Sequence, residues 1–126
     1  YQRLQPGVVG ISNGGFDEAW PKVEQGKQHL SAIIASNQLD DHSALLAMLA
    51  DSQLPDDESL PDTGIGLEWE RILAPVFIRA KEYGTRASTI LTIDKDNNVH
   101  FSERVYNSEG MAEQTSHYEF PIEAQE

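Results

Sequence analysis

Two polar side chains stand where a reaction could use them. Asn13 ends a short β-branched run, Gly7-Val-Val-Gly-Ile-Ser-Asn13, and is followed by Gly14 and Gly15. A side-chain amide at the end of an apolar strand can point into a cleft and donate to a developing oxyanion. The same residue can instead close its own backbone in an Asx turn, and local sequence leaves both readings open. Arg86 lies in Tyr83-Gly-Thr-Arg-Ala-Ser-Thr89, just ahead of a buried-strand pattern. An obligate cation there either joins a structural ion pair or faces a cleft.

Other reactive devices are missing. Cysteine is absent, which excludes a disulfide, a thiolate metal site and a cysteine nucleophile within these residues. There is no Gly-x-Ser-x-Gly elbow and no phosphate loop, and Gly7-Val-Val-Gly10 lacks the third glycine and helix start of a dinucleotide fingerprint. Asp94-x-Asp96-x-Asn98 copies the first three ligand positions of a calcium loop. Val99 then stands where the loop needs Gly, and Val105 where it needs Glu, so the segment reads as a hairpin turn. The four histidines, His29, His42, His100 and His117, show no metal-like spacing. Each reads as a surface or packed residue, and no metal site is expected.

The balance of charge narrows the partners. The 126 residues carry 21 acids against 9 Lys and Arg, a net charge of −12. That opposes a nucleic-acid surface, which needs cations for backbone phosphates, and a polybasic membrane patch. No apolar run approaches bilayer length. Between Lys27 and Arg71 there is no Lys or Arg, and the acids there (Asp40, Asp41, Asp51, Asp56, Asp57, Glu58, Asp62, Glu68 and Glu70) read as a solvated face.

The elements that must position Asn13 and Arg86 follow from periodicity. Residues 7–13 read as a buried strand running into a tight turn. Trp20, Val23, Leu30, Ile33 and Ile34 recur at helical spacing over about residues 18–36, with Pro21 suited to the first helical position, Asp17 and Glu18 placed to favour the N-terminus, and Asn37 as a stop. Asp40 or Asp41 can cap a second helix whose buried face is Leu45, Leu46, Met48 and Leu49. Residues 53–66 form a loop. Glu68 to Ile78 suggests a short helix broken or kinked at Pro75. The period then changes: Ala87–Ile93 and Val99–Val105 form a hairpin, Asn107 to Glu113 a turn, and Tyr118, Phe120 and Ile122 alternate in a last strand. Helices segregated from an antiparallel sheet give an α+β fold.

The segments that hold Asn13 and Arg86 also carry a resemblance. Gly10-Ile-Ser-Asn-Gly-Gly-Phe-Asp-Glu-Ala-Trp-Pro-Lys-Val23 resembles the G-L-S-N-x-x-x-D-x-P-W-P-K-V stretch of the NRDE family, also called the transport and Golgi organisation family. Leu60-Pro-Asp-Thr-Gly64, Glu68-Trp-Glu-Arg-Ile-Leu73 and Tyr83–Thr89 resemble three further blocks, and Asp94 to Arg104 resembles the closing hairpin. The match runs in order over nearly the whole chain; Ala19 departs from the usual proline before the tryptophan.

The resemblance implies more than the residues do alone. Family members are about twice this long, so residues 1–126 are expected to be the C-terminal part of a single domain, which accounts for a chain beginning at Tyr1. The implied fold is that of N-terminal nucleophile hydrolases, two stacked antiparallel sheets between helical layers (αββα). Bile-salt hydrolases and penicillin V acylases of that group carry an L-T-N-x-P-x-F-D stretch similar to Ser12-Asn13 followed by Phe16-Asp17, which assigns Asn13 to transition-state stabilisation. Their S-R block is similar to Thr85-Arg86 and assigns Arg86 to the same site. The implied activity is hydrolysis of a non-peptide amide bond, with the nucleophile in the N-terminal half and this chain inactive alone. The implied alternative is cytoplasmic haem trafficking, with haem as a bound ligand rather than a required cofactor. His29, His42, His100, His117, Met48 and Met111 are its axial-ligand candidates in principle. The expected partners are a small molecule and either the N-terminal half or a second copy of the chain.

Overall fold

The computed structural model describes residues 1–123. It opens with a hairpin of two short strands, β1 (Ile11–Ser12) and β2 (Gly15–Phe16), followed by α1 (Pro21–Ala35) and α2 (His42–Leu49). A single 3-10 turn at Asp57–Ser59 precedes α3 (Leu67–Leu73). The chain ends in an antiparallel meander of β3 (Ala87–Ile93), β4 (Asn98–Tyr106) and β5 (Ala112–Pro121), in that spatial order. The mixed α+β class expected from the sequence is the class observed.

Local chemistry sets the element ends. Pro21 occupies the first turn of α1, but Trp20 caps it without a side-chain hydrogen bond. Asp17, expected to favour the helix N-terminus, is instead drawn back to the hairpin. Its backbone N–H donates to the Gly10 carbonyl at 2.7 Å, and its carboxylate accepts from the Gly10 N–H at 3.1 Å and from Lys27 Nζ at 2.7 Å. Asp41 caps α2, accepting from Ser43 N at 2.9 Å and Ala44 N at 3.4 Å. α3 stops at Leu73, at the break expected at Pro75, because proline cannot continue a helix. The last strand begins at Ala112, earlier than the alternation around Tyr118 suggested.

Residues 7–13 are a correction. Only Ile11 and Ser12 pair, and Val9 and Ile11 are exposed. A β-branched run signals a covered strand; here α1 lies against the Gly10 side, where a Cβ would stand 2.5 Å from Val23 Cγ1, and the side bearing Val9 and Ile11 stays open.

The core is small and lies on one face of the meander. Leu45 and Leu46 of α2 pack on Ile90 of β3, with Leu30, Ile33 and Leu49 closing around them. Phe77 and Tyr106 stack edge to face at 4.7 Å between ring centroids. On the other face Leu91, Ile93, Tyr118 and Phe120 stay exposed; register places Leu91, Phe101 and Tyr118 in one cross-strand row and Ile93, Val99 and Phe120 in the next. The accessible surface, 9290 Å² for 14.0 kDa, exceeds by roughly 2,600 Å² the about 6,700 Å² that size scaling gives for a compact monomer. No helix among the described residues is long and apolar enough to cross a membrane.

Candidate functional site

Asn13 sits at the tip of the β1–β2 hairpin, at the rim of a cavity of about 490 Å³. The tip is held in place from two sides. Asp17 ties the hairpin base to α1 through Lys27. Gly14 lies so close to Trp20 that a Cβ there would stand 2.7 Å from the indole, so only glycine fits against this ring. The Gly14 N–H is taken by Ser12 Oγ at 3.1 Å. The Asn13 amide makes no hydrogen bond to another described residue, so the Asx-turn alternative is not what the structure adopts.

The cavity combines an apolar wall with few polar groups. Trp20, Leu60, Ile65 and Leu73 supply apolar surface, and Lys22, Glu70 and Tyr83 bring polar atoms. Lys22 Nζ donates to the Leu73 carbonyl at 3.0 Å and lies 5.7 Å from the Trp20 ring. Burial pushes the Lys22 ammonium below its ordinary value, and the Glu70 charge opposes that. Glu70 is buried, 6% exposed, and accepts from Thr63 N at 2.6 Å and from the Thr63 hydroxyl. Such a pocket can hold a small molecule with a polar or anionic end.

Arg86 is placed differently. It is exposed, precedes β3, and its backbone carbonyl accepts from Tyr106 N at 2.8 Å. Its side chain forms no ion pair among the described residues, and it does not line the Asn13 cavity, although Tyr83, three residues earlier, does. The structure thus leaves Asn13 and Arg86 in separate places within these residues.

Sequence reasoning gave Lys22 and Glu70 no role. Glu70 belongs to the stretch read as a solvated acidic face, and it is a correction to that reading: Thr63 satisfies it in the interior. Arg71 also reaches back to Asp57 with both its Nε (2.8 Å) and Nη2 atoms. Asp94 accepts from Asp96 N at 2.8 Å and Asn98 N at 3.0 Å, the hairpin-turn role expected of it.

The histidines are the larger surprise. His42, His100 and His117 converge, with ring centroids 5.6 to 6.4 Å apart. Ser102 Oγ, 2% exposed at the residue level, lies 2.7 Å from both His42 Nδ1 and His117 Nδ1. His42 Nε2 meets Thr92 Oγ1 at 2.9 Å. Burial, then the facing His117 and His100 rings, lower the His42 imidazole below its ordinary value of 6.5. His29 stands apart on α1, 3.7 Å from Asp51. Met48 lies on α2 and Met111 is exposed beside β5. The haem-ligand candidates therefore do not converge on one apolar pocket.

Residues 1–108 match the family described as Transport and Golgi organisation 2. The chain is 35% identical to the Transport and Golgi organization protein 2 homolog of Bos taurus, and 32% identical to that of Homo sapiens. Each match covers 96% of this chain and 47% of the relative, so the chain spans about half the length of the curated relatives it matches. The matched span takes in the Asn13 hairpin, the cavity, and β3 and β4, and with that extent of match the chain belongs to the Transport and Golgi organisation 2 family.

Proposed function

We propose that residues 1–126 are the C-terminal part of an N-terminal-nucleophile-hydrolase-like αββα sandwich, acting on a non-peptide amide bond of a small molecule. The observation that carries this reading is the unbonded Asn13 amide on the rim of a cavity of about 490 Å³. The open apolar face of the meander supports it, since a second sheet stacked there would complete the sandwich.

In this reading the nucleophile is a cysteine outside these residues, which contain none. Its thiolate attacks the amide carbonyl carbon, and its own α-amino group takes the thiol proton and passes it to the leaving amine. Asn13 donates its side-chain N–H to the carbonyl oxygen as negative charge develops there; one such donor is worth about 3–4 kcal/mol. Arg86 holds the site's carboxylate or orients the nucleophile once the remaining part of the site is in place. Lys22 and Glu70 orient the polar end of the substrate at the cavity wall.

The test is Asn13→Ala in the longer chain, assayed against a panel of acyl amides that the parent protein cleaves. Turnover is expected to fall by two to three orders of magnitude with the thermal melt unchanged. Unchanged turnover removes Asn13 from the mechanism. If no amide is cleaved and haemin instead gives a saturable, stoichiometric Soret shift, the same cavity belongs to a haem carrier that keeps the fold without its chemistry.

A further inference from the structure

The cluster on the helix-covered face of the meander has the ligand chemistry of a metal centre. His100 of β4 pairs across the strands with Glu119 of β5, and Ser102 pairs with His117. One ligand atom from each of His100, His117 and Glu119 lies within 4.8 Å of the other two. We propose that His100, His117 and Glu119 form a three-ligand site for a divalent transition-metal ion of zinc type, with one coordination position open to solvent.

The way each imidazole is anchored carries the argument. His100 Nε2 lies 3.2 Å from Asp94 Oδ2, leaving Nδ1 on the side of Glu119, 3.7 Å from its Oε2. His117 uses Nδ1 for Ser102, leaving Nε2 free. Each ring thus has one nitrogen fixed by an acceptor or hydroxyl and one nitrogen unoccupied. That is the arrangement in which metal-binding histidines are held: the remote N–H donates to a carboxylate or similar group, which fixes the tautomer and raises ligand basicity. Asp94 is itself rigid, because the backbone N–H groups of Asp96 and Asn98 hold its carboxylate. His42 has both nitrogens engaged and is a positioning residue.

Two imidazoles and a carboxylate with an open fourth position is the donor set of an exchangeable or catalytic zinc site. Ligand pairs in a tetrahedral zinc site are about 3.3 Å apart, whereas one ligand atom of each residue here lies within 4.8 Å of the others, so the set contracts on binding. His117 and Glu119 lie on the exposed edge strand, where side-chain rotation supplies that movement. Surrounding charge favours a cation. Asp40, Asp94 and Asp96 line the adjoining cleft, opposed by Lys95.

The experiment is a titration of the full chain with Zn²⁺ alone, followed by bound-metal analysis, with Co²⁺ as the spectroscopic probe. Wild type is expected to bind one equivalent with visible d–d absorption of a four-coordinate site. His117→Ala and Glu119→Gln should each weaken binding at least about tenfold, and Asp94→Asn by about 10–100-fold through the lost support of His100. His29→Ala is expected to bind as wild type does. Both ligand substitutions fall on exposed side chains, and circular dichroism checks that each variant keeps the sheet. No saturable binding by wild type, or binding unchanged in both His117→Ala and Glu119→Gln, overturns the site.

Discussion

Ser102→Ala is the sharpest probe of how the sheet and α2 are joined. The substitution removes one oxygen that is 2.7 Å from two imidazole nitrogens, in a residue only 2% exposed. A net hydrogen bond contributes about 0.5–1.5 kcal/mol, and a buried partner left unpaired costs about 1–3 kcal/mol. The two sides differ. His117 is exposed and can recover water at Nδ1, so its loss is near the bottom of that range. His42 is packed between α2 and the sheet, and its Nδ1 has no second partner among the described residues. The expected destabilisation is therefore about 2 kcal/mol, nearly all of it through His42. Urea unfolding measures it as a fall in midpoint at constant m-value. His117→Ala should cost less than about 0.5 kcal/mol, and a Ser102/His42 double-mutant cycle should return a coupling of about 1 kcal/mol or more. A loss below about 0.5 kcal/mol for Ser102→Ala, or additivity in that cycle, would refute the assignment of Ser102 as the link.

Four further outcomes are expected. Tyr106 is buried with a hydroxyl that finds no partner; Tyr106→Phe should raise stability by about 1 kcal/mol by removing that unpaired group, and a lower melting temperature would show that the hydroxyl is bonded in solution. Because His42 titrates below 6.5 in the fold, the unfolded chain binds more protons as pH falls through 6.5, so stability should drop below that pH; thermal melts from pH 8 to 5 should show a shallower slope for His42→Asn. Asp94, held at about 2 by backbone donors and then His100, contributes stability above pH 3.8 that is lost as pH falls towards 2, a decline that Asp94→Asn should lack. Finally, the face bearing Leu91, Ile93, Tyr118 and Phe120 should drive the 126-residue chain to associate. Ultracentrifugation resolving a monomer at high concentration, together with a cooperative melt, would count against that.

Local signals carried much of the fold. Asp41 as a cap, Pro21 in the first helical turn, the break before Pro75, and the Asp94–Asn98 turn each follow from chemistry within a few residues. Residues 7–13 misled because a β-branched composition signals a covered strand without saying what covers it, and here only Ile11 and Ser12 pair. The imidazole cluster was illegible for a related reason. His42, His100 and His117 are far apart in sequence, and only the cross-strand register joins them. A signal did exist: His100-Phe101-Ser102 and His117-Tyr118-Glu119 alternate polar and aromatic, so pairing them around the Asn107–Met111 turn would have set His100 opposite Glu119. At the cavity, Asn13 was visible from its strand-end position, whereas Lys22 and Glu70 depended on α1 and α3 meeting across a loop.

Ser102 has one hydroxyl hydrogen and sits between two ring nitrogens. While both imidazoles are neutral and the Ser102 hydrogen is shared within the row, Thr92–His42–Ser102–His117 can run in only two senses. In one, hydrogens point from Thr92 outward, and His117 presents Nε2–H to solvent. In the other they point inward, His117 presents a bare lone pair, and His42 donates Nε2–H to Thr92. No member can reverse alone. Whatever takes the lone pair of His117 at the edge of the sheet therefore also fixes which ring nitrogen of His42 carries hydrogen on α2, so the row is a two-position register written at β5 and read at the helix.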